Sequence, residues 1–123
     1  MVELTPQQLD EYRESWRLRR EQERQMLNDK FTRAWESARD ASRLLRENYG
    51  VTKVVVFGSL LHREYFDQLS DVDIAAWGIQ TDDTFRAIYD VLGVSREIEV
   101  NLVDVEMCRP DILESIVETG IEI

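Results

Sequence analysis

The amino-acid sequence predicts an α/β (α+β) fold in which a small mixed sheet of three strands is flanked by helices and preceded by a long helical segment. Three observations predict it. The first 50 residues carry helix formers at a helical period, the later part carries short β-branched runs, and helical patterns separate those runs. A length of 123 residues suits one domain, with a helical segment at 1–50 and a core at 51–123.

The helical segment has a predicted start, a predicted end and one apolar face. Thr5 and Pro6 are typical of an N-cap followed by proline at the first helical position, and Gly50 is typical of a C-cap. Apolar residues from Leu27 to Leu45 recur at helical spacing, which predicts a buried face over that half.

The first half of the segment leaves two interpretations open. Leu9, Tyr12 and Trp16 share a helix face, but residues 17–25 are almost all charged or amide side chains. They predict either a solvated helix with pairs of opposite charge, or an arm that docks a partner through Tyr12 and Trp16.

After Gly50 the apolar period changes, and strands alternate with helices. The predicted order is a strand at Lys53–Phe57, a short helix at Leu60–Tyr65, a strand at Val72–Trp77, a helix capped by Asp82 or Asp83 and ending near Leu92, a strand at Glu97–Val105, and a helix between Pro110 and Gly120.

Composition and charge exclude several classes of function. The net charge is −10, and all of it lies in residues 51–123, where 5 basic and 15 acidic residues give 5 − 15 = −10. This excess argues against a general binder of nucleic-acid backbones and suits a protein that binds a cation or a basic partner. The sequence has no apolar run of membrane-spanning length, and its one cysteine, Cys108, cannot form a disulfide framework, so we expect a cytoplasmic protein with a structural thiol.

Two acids stand at the start of the second predicted strand, within "VVVFGSLLHREYFDQLSDVDIAAWG". Asp71 and Asp73 are two residues apart, so both carboxylates leave the same face of the strand while Val72 points into the core. Adjacent carboxylates repel each other, and a hard divalent cation removes that penalty. Carboxylates together with substrate phosphates are the ligands that Mg²⁺ prefers, so the pair predicts a Mg²⁺ site.

The Gly58-Ser59 pair ends the first predicted strand and opens a short helix. Backbone N–H groups and a hydroxyl at such a turn suit a phosphate group. Either signal alone is weak, but their combination between two apolar strands favours a site for a metal-bound nucleotide triphosphate.

This combination resembles the nucleotidyltransferase superfamily with the DNA polymerase β-like fold, and within it the minimal nucleotidyltransferases (MNT), the antitoxins of HEPN/MNT toxin–antitoxin pairs. The resemblance runs from the helix before "VTKVVVFGS" to "ILESIVETGIEI". It implies that Gly58 and Ser59 bind the triphosphate, that Asp71 and Asp73 hold Mg²⁺, and that an acid on the third strand completes the site. Arg63 is a further candidate for a phosphate contact.

The third position departs from the family pattern. In "EIEVNLVDVE" the residue that aligns with the third acid is Asn101, which has neither the charge nor the proton-accepting capacity of a carboxylate. Three outcomes stay open: a weakened but active site, a site that binds nucleotide without transfer, or replacement of the acid by Glu99 or Asp104.

The resemblance implies a function and leaves alternatives. The first expectation is transfer of AMP from Mg-ATP to a hydroxyl group, a tyrosine of a partner HEPN ribonuclease, without direct binding of nucleic acid. The alternatives are a catalytically impaired protein of the same fold that neutralises its partner by binding it, and a small-molecule nucleotidyltransferase, which a chain of this length leaves little room for. Whether the protein forms homo- or hetero-oligomers is open.

Overall fold

The computed structural model describes residues 3–123, and Met1 and Val2, the first residues of the predicted helical segment, lie outside this range. Helix α1 spans Pro6–Tyr49, 44 residues, which corresponds to a length of about 66 Å. Thr5 and Gln8 form a capping box, in which each side chain accepts a hydrogen bond from the other's backbone N–H. Gly50 ends the helix with φ +64°, and its N–H donates to the Leu45 carbonyl. The predicted helix and both predicted caps are confirmed.

Only the second half of α1 packs against the rest of the protein. Ala34, Ala38, Ala41 and Leu45 are fully buried there, whereas every side chain from residue 6 to residue 26 is exposed. We call residues 6–26 the arm. Within the arm Arg17 forms ion pairs with Glu14 and Glu21, as a solvated helix favours.

A mixed sheet of four strands forms the centre of the fold. Its strands are β1 (Lys53–Phe57), β2 (Val72–Trp77), β3 (Val100–Asp104) and β4 (Ile121–Glu122), in the order β3-β2-β1-β4. Strand β1 is antiparallel to β2 and β4, and β2 is parallel to β3. The predicted mixed sheet is confirmed, and the structure adds the fourth strand, whose two residues are too few to produce a period in the sequence.

Helices cover both faces of the sheet. Helix α1 and helix α2 (Thr84–Leu92) cover one face, where Val56, Val72 and Ile74 are buried. Helix α3 (Pro110–Thr119) covers the other face, through Ile116 against a cluster that includes Val55 and Ala75. None of the helices within residues 3–123 has the length and apolar content needed to cross a membrane.

The connection from α1 to β1 fixes the direction of the arm. Helix α1 ends where β1 begins, and its middle is tied to the segment just before β2, because Lys30 Nζ donates to the carbonyls of Asp67, Gln68 and Ser70 at 3.3, 2.5 and 3.1 Å. The arm therefore projects beyond the edge of the sheet at which β1 ends and β2 and β3 begin. The residues that the resemblance implies to be catalytic lie at this edge, and we call it the catalytic edge after that expectation.

Three predicted elements differ in detail. The short helix after β1 is instead a pair of 3₁₀ turns at Gly58–Leu61 and Arg63–Tyr65. Helix α2 follows a 3₁₀ turn at Thr81–Asp83, and Asp83 stands at its N-cap without a side-chain capping bond. Strand β3 is shorter than predicted because residues 95–99 form a loop before it.

Candidate active site

The catalytic edge brings Asp73 and Asn101 together. Phe57 pairs with Asp73 across β1 and β2, and Asp73 pairs with Asn101 across β2 and β3. Residues in register on neighbouring strands point to the same face, so the two side chains lie side by side. Val72 and Ile74 are fully buried on the opposite face, as the spacing predicted.

Gly58 makes room for the Asp73 carboxylate. The turn after β1 needs φ +78° at this residue, a conformation that favours glycine. A Cβ atom at Gly58 would lie 2.7 Å from Asp73 Oδ2, closer than a carbon and an oxygen can approach. The glycine thus serves both the backbone turn and the close packing of the carboxylate on the turn.

The surroundings of Asp73 oppose its ionisation. Burial of this half-buried carboxyl raises its pKa above the usual value, and the neighbouring charge of Asp71 raises it further, while a hydrogen bond from Asn101 lowers it. A carboxylate held next to a second carboxylate, with partial loss of water, is a group that a cation would stabilise.

Asn101 is the third polar group of the site. Among residues 3–123 there is no cluster of three Asp, Glu, His or Cys side chains placed to hold a metal ion. Asp71 and Asp73 are neighbouring acids whose charges interact, and Asn101 pairs with Asp73 and carries an amide instead of a carboxylate.

The two acids that were candidates to replace the third carboxylate have different positions. Asp104 is buried at 5% exposure, where its carboxylate accepts from Thr84 Oγ1 at 2.7 Å and from the backbone N–H of Glu106. It has a structural role in the core and is not available to the site. Glu99 is exposed and lines a recess together with Asp71, so it is the nearer substitute.

Ser59 lies in the first 3₁₀ turn after β1, beside Gly58. The first N–H groups of such a turn have no carbonyl within it to bond to, so they need acceptors from outside the turn. Ser59 is half-buried, and its carbonyl accepts from the N–H of His62 at 3.1 Å, which closes the turn. The turn has the backbone donors that a phosphate requires.

Arg63 faces helix α1. Its guanidinium bonds to the side chain of Asn28 and lies over the Phe31 ring, 5.4 Å from the centroid. A contact with a nucleotide phosphate would require this side chain to leave α1.

Arg96 is a cation that the sequence reasoning did not single out. It lines the recess of about 460 Å³ that contains Asp71 and Glu99. The position of Arg96 follows from the parallel pairing of β2 with β3, because that pairing places the loop before β3 next to Asp71, which directly precedes β2. Arg96 gives this recess a positive group beside the three carboxylates of Asp71, Glu97 and Glu99.

The comparison with protein families gives a match over most of the core. The family described as "Polymerase beta, Nucleotidyltransferase" matches residues 40–123. The matched range contains the whole catalytic edge and leaves the arm outside. A comparison with curated proteins finds no significant match.

Solved structures of toxin–antitoxin complexes share the fold. A chain of a toxin–antitoxin complex with AMP-PNP has a TM-score of 0.58 at 20% identity, covering 69% of this chain and 70% of that one. A chain of the MntA–HepT toxin–antitoxin has a TM-score of 0.53 at 18% identity, covering 72% and 69%. A chain from the complex of a tri-AMPylated Shewanella oneidensis HEPN toxin with its MNT antitoxin has a TM-score of 0.54 at 19% identity, covering 72% and 70%.

Proposed function

The chain belongs to the polymerase beta nucleotidyltransferase family, and from that membership we propose that it is an MNT-type antitoxin that transfers AMP from Mg-ATP to a tyrosine hydroxyl of a partner HEPN ribonuclease. The observation that carries the proposal is the meeting of the Gly58-Ser59 turn with Asp71 and Asp73 at one edge of the sheet. The nature of the partner is supported by the AMPylated HEPN toxin in one of the structures that share this fold.

The reaction is a displacement at the α-phosphorus of ATP. The tyrosine oxygen forms a bond to that phosphorus, the bond between the phosphorus and the oxygen bridging to the β-phosphate breaks, and pyrophosphate leaves with the bonding electrons. The hydroxyl proton passes to solvent or to a nearby carboxylate. The task of the protein is to align the two oxygens and to stabilise charge on the phosphates.

The residues of the site fit a Mg²⁺ ion with few protein ligands. Asp71 and Asp73 offer carboxylate oxygens and Asn101 offers an amide oxygen, in an environment that already disfavours two bare charges. When bound, Mg²⁺ neutralises phosphate charge. In the proposal, Asp71 and Asp73 would hold that ion, and the N–H groups and hydroxyl of the Gly58-Ser59 turn bind the outer phosphates of the triphosphate.

A second candidate function follows from Asn101. With an amide in place of the third carboxylate, the site loses one negative charge and one proton acceptor next to Asp73. The protein then neutralises its partner by forming a complex, with nucleotide binding but without transfer.

The test is transfer of label from α-labelled ATP, with Mg²⁺, to a co-expressed HEPN-type partner. We expect label on the partner with the natural protein and none with the Asp71→Asn/Asp73→Asn variant, whose substitutions remove the charge and keep the shape. A stable complex without label supports neutralisation by binding and contradicts transfer.

The Asn101→Asp variant separates the two functions further. If the missing carboxylate is the only obstacle, this variant labels the partner when the natural protein does not. If neither protein labels it while both still form the complex, the catalytic proposal is wrong.

A further inference from the structure

The arm lies beside the candidate active site but outside the part that makes it. The family match begins at residue 40, whereas α1 begins at Pro6. The arm is about 30 Å long, at 1.5 Å per residue, and it projects past the catalytic edge. A macromolecule that reaches the Gly58-Ser59 turn from this side therefore meets the arm.

A cleft separates the arm from the segment that follows the Gly58-Ser59 turn. It has a volume of about 720 Å³, and its walls include Arg20, Arg24 and Leu27 of α1, and Arg63 and Asp67 of the facing segment. A volume of this size accommodates several side chains of a bound polypeptide. The cleft is open, and Lys30 holds its far wall to α1 through the carbonyls of residues 67, 68 and 70.

The net charge of the cleft is positive, because three arginines and two acids line it. Arg20 and Arg24 form no ion pair within residues 3–123, and Arg63 bonds to the neutral Asn28 side chain. Asp67 is occupied by its own turn, because its Oδ1 accepts from the Leu69 N–H and from the Ser70 hydroxyl. Glu23 is the other acid of the lining. The three guanidiniums therefore attract an anionic group more strongly than the two acids repel one.

Beyond the cleft, the arm carries an apolar stripe with arginines along one flank. Leu9, Tyr12 and Trp16 lie on the helix face that Leu27 and the buried residues of α1 share, and their exposed fractions are 37%, 55% and 43%. Four arginines line one flank of this apolar stripe at intervals of four, three and four residues: Arg13, Arg17, Arg20 and Arg24.

A second copy of the arm is a poor match for this surface. Antiparallel pairing of two arms along the apolar stripe would put like flank against like flank, so the arginines of one copy would face those of the other. Of the four, Arg17 alone forms ion pairs with residues in the range 3–123, with Glu14 and Glu21. The pattern instead fits a partner segment with apolar or aromatic side chains and flanking carboxylates.

We propose that the arm and the cleft form the acceptor-docking surface, and that it binds an acidic polypeptide segment that presents a tyrosine to the catalytic edge. This inference rests on the proposed function for the identity of the acceptor. The basic flank binds the carboxylates, the stripe of Leu9, Tyr12 and Trp16 packs on apolar side chains, and the cleft leads the segment towards the Gly58-Ser59 turn.

Binding of a labelled random copolymer of glutamate and tyrosine to the full-length protein, measured by fluorescence anisotropy without ATP or Mg²⁺, tests the proposal. The Arg20→Glu/Arg24→Glu variant reverses two exposed charges of the cleft and removes no buried contact. Its matched control is Arg39→Glu/Arg43→Glu, which changes two exposed arginines of the same helix at the same spacing. We expect the cleft variant to weaken binding at least about tenfold and the control to weaken it less than about twofold.

Any of three binding results would overturn the proposal: no saturable binding by the natural protein, an equal loss in both variants, or displacement of the copolymer by an equal charge of single-stranded poly(U), which would indicate a nucleic-acid surface. Because the binding assay contains no nucleotide, it tests the docking surface separately from the proposed activity. Binding of the copolymer through the cleft without any transfer of AMP supports the docking surface and contradicts the proposed activity.

An unchanged rate of AMP transfer to the HEPN partner by the cleft variant supports the proposed activity and contradicts the docking surface.

Discussion

Gly58 and Gly50 both have left-handed backbone conformations, but their surroundings differ. At Gly50, with φ +64°, a Cβ atom would meet nothing within 4 Å, so we expect Gly50→Ala to cost only the backbone strain, about 1 kcal/mol. At Gly58 the Cβ would also press on Asp73 Oδ2. We expect Gly58→Ala to lower the free energy of unfolding by about 1 kcal/mol more than Gly50→Ala, and to abolish ATP binding because Asp73 moves.

Chemical denaturation of the two variants, together with a fluorescent-ATP titration, measures both effects. Gly50→Ala is the matched control, since it pays the same conformational cost at a site far from the catalytic edge. Equal stability losses, or normal ATP binding by Gly58→Ala, would show that the carboxylate does not depend on the glycine.

Asp73 is a carboxylate that the fold holds at a cost in stability. Because burial and Asp71 raise its pKa in the folded state, its ionised form is disfavoured in the native protein relative to the unfolded chain. We expect Asp73→Asn to raise the free energy of unfolding near neutral pH by a few tenths to about 1 kcal/mol, allowing for solvent screening of a half-exposed group.

The sign of the pH dependence follows from the raised pKa. Above that pKa the natural protein carries the disfavoured charge and is less stable than Asp73→Asn. As the pH falls through it, Asp73 is protonated in the native state and the difference disappears. Thermal melts of both proteins between about pH 4 and 8, without divalent cations, measure the gap, and a gap that widened on acidification would contradict this account.

At the level of elements, Lys30 fastens the segment before β2 to helix α1. Its ammonium group donates to three backbone carbonyls of that segment and lies 5.4 Å from the centroid of the Phe66 ring. Lys30→Met keeps most of the aliphatic stem and removes every one of those hydrogen bonds. We expect it to lower the free energy of unfolding by about 1–3 kcal/mol and to speed amide exchange at residues 67–70.

The other lysine of the chain, Lys53, provides the control. Its ammonium group lies over the Trp77 ring, 4.7 Å from the centroid, at an intermediate level of burial. Lys53→Met should cost about 0.5–1 kcal/mol and leave exchange at residues 67–70 unchanged. Equal effects from both substitutions would mean that the carbonyl contacts of Lys30 contribute little.

The sequence predicted the elements that have a strong period or a clear cap, and missed those decided by tertiary contacts. Helix α1 has clear residues at both ends and an apolar face over its second half, and strands β1 and β2 contain continuous apolar runs. In helix α2 the large apolar residues Phe85 and Tyr89 are 77% and 76% exposed, while the smaller Thr84, Ala87 and Val91 are buried. The space between α2 and the sheet admits only small side chains, and a hydrophobic pattern does not indicate how large a side chain can fit.

Part of the candidate site was predictable because its motifs lie next to strands with strong apolar patterns. Asp71, Asp73 and Gly58-Ser59 are short motifs beside strong strands, so their meeting at one edge follows from the strand order. The closeness of Gly58 to Asp73 and the hydrogen bond of Arg63 to α1 depend on packing between distant segments, which local sequence patterns do not predict.

At the scale of the whole molecule, the charge is distributed unevenly along the chain. Residues 1–50 sum to zero and carry the arginine flank of the arm, whereas residues 51–123 carry the entire net charge of −10. Such an acidic core is stable only while its carboxylates are dispersed or paired with cations. Asn101 is neutral, so it adds no third charge beside Asp71 and Asp73.

Asn101→Asp tests this balance in the intact protein. It changes the net charge from −10 to −11 and places a third carboxylate beside Asp73, whose ionisation is already disfavoured. We expect the variant to melt below the natural protein without divalent cations, and to gain more from Mg²⁺, because three carboxylates bind the cation more tightly than two and binding to the native state raises its stability. With saturating Mg²⁺ the order of the two melting temperatures should reverse.

Asn48→Asp adds the same charge at an exposed position in the last turn of α1, where the helix dipole disfavours it, and should show an initial loss without the larger gain from Mg²⁺. Differential scanning calorimetry over a Mg²⁺ titration measures all three proteins. If Asn101→Asp lost stability at every Mg²⁺ concentration, the edge formed by β1, β2 and β3 would not be a cation site, and the catalytic proposal would fail with it. If the order reverses, the fold still holds the geometry of a three-carboxylate site, and the natural asparagine limits only the charge that this site can supply to a bound ion.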